Sequence, residues 1–146
     1  MEAGVRAFFA RYESLFNRSL HGEDAQDAMD ETAALYAPAF IAASPTGVMT
    51  GRNDDAFRQA MTQGHAHYRA IGTKDMRIRA IRFSPIDDHH CVAHVGWRAT
   101  YTRAAQADVT IDFEVHYFVQ MLDGEPKVFG WVSGDEQALL RAHGII

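Results

Sequence analysis

Between Cys91 and Leu122 apolar and polar residues alternate with period two. That alternation marks strands with one buried face. The first arm runs from Cys91 to Tyr101 and the second from Thr110 to Leu122. In the second arm Ile111, Phe113, Val115, Tyr117, Val119 and Met121 share one face, and Asp112, Glu114, His116, Phe118 and Gln120 share the other. A short loop, Ala104 to Asp108, would set Trp97 opposite Val115 and Arg98 opposite Glu114, pairing apolar with apolar and charge with countercharge. The aromatic face reads as one wall of a cavity.

Upstream the period is helical. Val5, Phe8, Phe9, Tyr12, Leu15, Phe16 and Ser19 predict a first helix of roughly four turns, with Arg6, Arg11, Glu13 and Arg18 on the wet side. Asp24 is placed to cap a second helix carrying Ala28, Met29, Thr32 and Leu35 inward. Phe40–Ala43 reads as a short strand and Ser44–Gly47 as a turn. Asn53 is placed to cap a third helix, with Phe57, Met61, His65, Tyr68 and Ile71 near one face and Gly72 as its stop. From Thr73 the period is two: a strand over Met76–Phe83, the long hairpin, a turn at Asp123-Gly124-Glu125-Pro126, and a last strand over Lys127–Ser133. Ser133 and Glu136 have capping-box spacing for a short final helix. Helices grouped before a strand meander imply an α+β fold: a cone-shaped, curved antiparallel sheet wrapped around N-terminal helices. No linker or repeat divides the chain, so one domain over residues 1–146 is expected.

This order, with Arg11-Tyr12, Leu35-Tyr36-Ala37, Gly51 and Asp123-Gly124, resembles the nuclear transport factor 2-like superfamily, also called SnoaL-like or ketosteroid-isomerase-like. The resemblance spans nearly the whole chain and implies a fold that hosts enzymes, ligand binders and assembly modules. Ketosteroid isomerases place a tyrosine donor on the first helix, matched by Tyr12. Their base carboxylate aligns with Ser44, which is no base at neutral pH. Their protonated acid falls on His116 or Tyr117, and strand parity favours Tyr117. The Asp-Arg-Asp set of epoxide hydrolases of this fold is matched only by Arg98 with Glu114 and Asp112, since Thr100 replaces one aspartate.

Composition narrows the choice. The formal net charge of −5 over 146 residues argues against a nucleic-acid partner. No stretch approaches a membrane span, and no signal peptide is read at the N-terminus. Cys91 is the only cysteine, which suits a reducing cytoplasm and excludes an internal disulfide. It reads as a small buried thiol.

His65 and His67 diverge by about 200° on a helix, so they cannot form a helical zinc pair. His65 is a candidate base in the cavity, against a rival reading as a histidine at the core edge. His94, Arg98, Thr100, Asp112, Glu114 and His116 form a polar patch. It reads as a solvated or dimer-facing outer surface rather than a proton-transfer or metal site, because Trp97, Tyr101, Phe113 and Tyr117 claim the interior. No cofactor and no metal are implied.

Tyr12, Trp97, Phe113, Tyr117 and Trp131 are therefore the candidate ligand-binding residues. The reading is a protein binding a small hydrophobic organic ligand. A cofactor-independent isomerase, dehydratase or hydrolase is one alternative, and a dimeric interaction module with a vestigial pocket is another. A homodimer is expected through the outer face of the last strands, where Phe118 interrupts a polar face and Val128, Gly130 and Val132 alternate with Phe129 and Trp131.

Overall fold

The computed structural model describes residues 1–22 and 25–146. Helix α1 (Glu2–Leu20) and helix α2 (Ala25–Ala33) lead into strands β1 (Tyr36–Ser44) and β2 (Gly47–Arg52). Helix α3 (Asp55–Ala70) follows, then strands β3 (Thr73–Pro85), β4 (His90–Tyr101), β5 (Val109–Leu122) and β6 (Glu125–Ser133), and helix α4 (Glu136–Ala142). The expected cap Asp24 lies outside the described residues.

The six strands form one open, curved sheet in the order β2-β1-β6-β5-β4-β3. The run β3 to β6 is antiparallel as the alternation implied, and β1 joins β6 in parallel. Odd-numbered residues of β4 and β5 point inward: Cys91, Val95, Trp97, Tyr101, Ile111, Val115, Tyr117 and Val119 are all buried. The faces are thus as period two predicts. The register is not. Trp97 lies opposite Phe113 and Arg98 opposite Asp112, because the strands end at Tyr101 and restart at Val109. A shift by two residues keeps every side chain on its face, so alternation alone cannot detect it.

Strand β2 has no counterpart in the sequence reading. It pairs only with β1 and leaves Val48 and Met49 exposed, so it carries no burial pattern. Two helix caps also move by one or two residues. Asp54, not Asn53, caps α3 by accepting from Phe57 N–H, and Asp135, not Ser133, caps α4 by accepting from Ala138 N–H. Asn53 instead donates to the carbonyls of Ala33 and Tyr36. The β5–β6 hairpin turns on Asp123-Gly124 alone, both at positive φ, which is the geometry of a two-residue turn between right-twisted strands.

The expected alternation of β6 is broken between Phe118 and Val119, where Phe129 is the extra residue of a bulge. Val128 is therefore buried on the inner face with Trp131, while Phe129 stacks on Phe118 outside.

Helix α1 crosses the sheet and docks on the edge strand β3. Val5, Phe8, Phe9 and Leu15 are buried as predicted. Glu13, placed on the wet side by periodicity, accepts from Ile78 N–H. Asn17 bonds both backbone groups of Met76. The outward backbone groups of an edge strand are thereby covered by helix side chains.

Candidate functional site

A cavity of about 470 Å³ lies between α1, α3, α4 and the inner face of the sheet. Tyr12, Trp97, Phe113, Tyr117, Trp131 and His65 all line it. Helical spacing places Tyr12 mid-face on α1, and strand parity turns Trp97, Phe113 and Tyr117 toward it. Trp131 reaches the cavity because the bulge returns β6 to inward register. Its indole stacks on Phe40, with ring centroids 5.3 Å apart.

At one end three tyrosines meet. The Tyr12 and Tyr36 hydroxyls are 2.6 Å apart. Trp97 Nε1 donates to the Tyr117 hydroxyl at 3.2 Å. Burial raises the pKa of Tyr12, opposed by hydrogen bonds to Tyr36 and Tyr117. Burial, reinforced by the neighbouring tyrosines, pushes Tyr36 and Tyr117 well above the ordinary range. All three hydroxyls therefore keep their protons at neutral pH. The Tyr12–Tyr36 bond uses one of the three protons, so the cluster keeps an O–H to donate to something else.

His65 is only 8% exposed. Its Nδ1 bonds the Ser19 hydroxyl, and its ring packs 4.5 Å from Phe16. Burial and then the Arg69 charge lower its pKa to about 4. A neutral imidazole so weakly basic is poorly matched to abstracting protons near pH 7. Ser44, where the resemblance set the base carboxylate, ends strand β1 and bonds Thr46 in the following turn. Cys91 is fully buried, and burial raises its thiol pKa, so it is no nucleophile.

Beyond the sequence candidates, the cavity wall also holds Tyr36, Tyr68 and Glu136. Tyr68 donates to Glu136 Oε1 at 2.7 Å, which puts a carboxylate in the cavity wall. Tyr36 reads from the sequence as an inward aromatic, and the strand spacing of Tyr36-x-Pro38-x-Phe40 carries it to the cavity. Glu136 had been assigned to a capping box and carried no separate signal.

The polar patch lies on the opposite face of the sheet. Arg98 grips Asp112 with two bonds, of 2.7 and 3.0 Å, and Arg82 pairs with Glu114 at 2.9 Å. These pairs are exposed and contribute little to stability. Of the partial Asp-Arg-Asp likeness, Arg98 and Asp112 lie outside the cavity lining and only Glu114 borders it.

A six-stranded curved sheet with helices packed on its inner face, and β1 set beside the last strand, defines the NTF2-like, cystatin-like class of folds. A family model described as NTF2-like protein (DUF6841) matches residues 2–136, and the chain belongs to that family. No functionally curated protein matches the sequence. Among solved structures, the chain resembles an NTF2-like protein with a cystatin-like fold from Novosphingobium aromaticivorans. Identity is 12%, coverage 99% of this chain and 88% of the other, and TM-score 0.68. It is similar to a ketosteroid isomerase-like protein from Erwinia carotovora atroseptica, at 12% identity, 90% and 93% coverage and TM-score 0.62. It is also similar to a putative scytalone dehydratase from Novosphingobium aromaticivorans, at 14% identity, 90% and 80% coverage and TM-score 0.64. At these identities the likeness concerns the fold. Among the described residues no helix is long and apolar enough to cross a membrane.

Proposed function

We propose that the protein binds a small, mostly apolar organic molecule carrying a carbonyl or hydroxyl oxygen. The observation that supports this is the aromatic-walled cavity of about 470 Å³ with a protonated tyrosine cluster at one end. Rings supply contact area, and one spare O–H orients the ligand oxygen. A panel of hydrophobic ligands tested by thermal shift should contain stabilising members. Tyr12→Phe should then weaken binding by about 1 kcal/mol, the value of one neutral hydrogen bond, with the fold intact. Uniform failure of the panel would favour the interaction module with a vestigial pocket.

A cofactor-independent isomerase, dehydratase or hydrolase is the second reading. It is supported by Glu136, whose carboxylate joins His65 as a titratable group in the cavity wall. A pH–rate profile on any ligand that turns over would separate this from binding alone.

A homodimer remains our expectation. Phe118 and Phe129 stack on the outer face, flanked by Ile41 and Val132, which are 48% and 37% exposed. A second copy would cover this apolar strip, and the isologous contact is the commonest solution. Light scattering should give twice the chain mass at micromolar concentration, and a monomer there would sink the idea. A cytoplasmic location suits the single buried thiol.

A further inference from the structure

We propose that His94, Glu114 and His116 form a binding site for a divalent transition-metal ion of the zinc class on the outer face of the sheet. Neither histidine lines the cavity, and Glu114 is the one residue of the three that also borders it.

The register assembles it. His94 and His116 are direct partners across β4 and β5, so both rings stand on one face. Glu114 lies two residues before His116 and shares that face. His94 Nδ1 and His116 Nδ1 approach to 2.6 Å, and His116 Nδ1 lies 3.9 Å from Glu114 Oε1. One ligand atom from each residue falls within 4.8 Å of the other two. A tetrahedral ion with bonds near 2.0–2.1 Å holds its ligands about 3.3 Å apart. The two measured separations differ from that by about 0.7 and about 0.6 Å, which small side-chain rotations supply.

The tautomers suit it as well. His94 Nε2 lies 2.9 Å from the half-buried Ser84 hydroxyl. With Nε2–H donating there, the Nδ1 lone pair of His94 is left aimed at His116. This is the outer-shell arrangement that orients metal-binding histidines. Without a metal, His116 must put its Nδ1 proton into the contact. With one, His116 shifts its proton to Nε2, and two lone pairs converge with a carboxylate.

Imidazole nitrogens with one carboxylate select zinc, copper, nickel or cobalt over magnesium or calcium. Three protein ligands on an open face leave a fourth position for water. Arg82 competes for Glu114, so binding in the micromolar range is expected rather than that of a closed structural site.

The test uses untagged full-length protein stripped with a chelator and titrated with zinc chloride by calorimetry, and with cobalt chloride by visible absorption. One ion per chain is expected, with the intense cobalt bands of a tetrahedral site. His94→Ala and His116→Ala should each abolish binding, and Ser84→Ala should weaken it about tenfold. Glu114→Gln changes an exposed side chain, keeps the fold, and should also weaken binding. His67→Ala, an exposed histidine on α3, should leave it unchanged. Absence of zinc binding at millimolar concentration would overturn the proposal. So would binding that survives Glu114→Gln and His116→Ala undiminished.

Discussion

Asn17→Ala is expected to lower the unfolding free energy by about 3 kcal/mol, the sum for two buried backbone groups left without partners. Asn17 is 7% exposed, on the face of α1 that meets the edge of the sheet. Its Nδ2 donates to Met76 O at 2.7 Å and to Glu13 O at 2.8 Å, and its Oδ1 accepts from Met76 N–H at 2.9 Å. Met76 is itself buried. The amide thus stands in for the strand that β3 lacks on that side. Helix propensity points the other way, since alanine is favoured over asparagine by roughly 0.5 kcal/mol in a helix interior. The stranded groups outweigh that several-fold, so the sign is not in doubt. Urea denaturation should show a lower midpoint at unchanged slope. A loss below about 1 kcal/mol would mean that water replaces the amide at Met76. Asn17→Asp should fall between, because it keeps the acceptor for Met76 N–H and loses the donor to Met76 O.

Neither Asn17 nor Glu13 could be read from periodicity, which classes polar residues on an amphipathic helix as wet. The fold was legible where one face is buried and the element is regular. Trp97, Phe113 and Tyr117 follow from alternation, and Tyr12 and His65 from helical spacing, which is why these cavity residues were found. What escaped lies where the pattern is interrupted or has no face to bury. Strand β2 is exposed along nearly all its length. The bulge at Phe129 decides which of Val128, Gly130 and Trp131 points inward, and alternation cannot anticipate an extra residue. Gly130 shows the cost of filling that outer site: a Cβ there would come within 3.0 Å of both Ile41 O and the Phe118 ring. The β4–β5 register depends on the conformation of the Thr102–Asp108 loop, where Ala105 takes φ 58°. Opposite-charge matching was satisfied by Glu114 as well as by Asp112, so it could not choose between them. Tyr36 reads as an inward aromatic, but the short strand Phe40–Ala43 left it outside β1, which in fact begins at that residue.

Trp97→Ala is expected to cost about 4 kcal/mol, in the range for removing a buried tryptophan from a core that relaxes only in part. The indole is 2% exposed. It lies opposite Phe113 in the sheet and 6.0 Å from the Tyr12 ring, and its Nε1–H is the donor to Tyr117. Its removal should both enlarge the cavity and leave the Tyr117 hydroxyl without that partner. Trp97→Phe separates the two effects, since it keeps most of the volume and loses only the N–H. That variant should lose about 1 kcal/mol, the value of one hydrogen bond, plus a small packing term. The contrast with Tyr12→Phe then divides wall from handle. Trp97 substitutions should act mainly on stability, whereas Tyr12→Phe should cost about 1 kcal/mol of stability for the lost bond to Tyr36 and weaken ligand binding besides. Chemical denaturation of the three variants beside wild type, followed by far-UV circular dichroism, reads the first quantity. A Trp97→Ala loss no greater than that of Trp97→Phe would show that the indole packs no core, and the cavity would lose its wall.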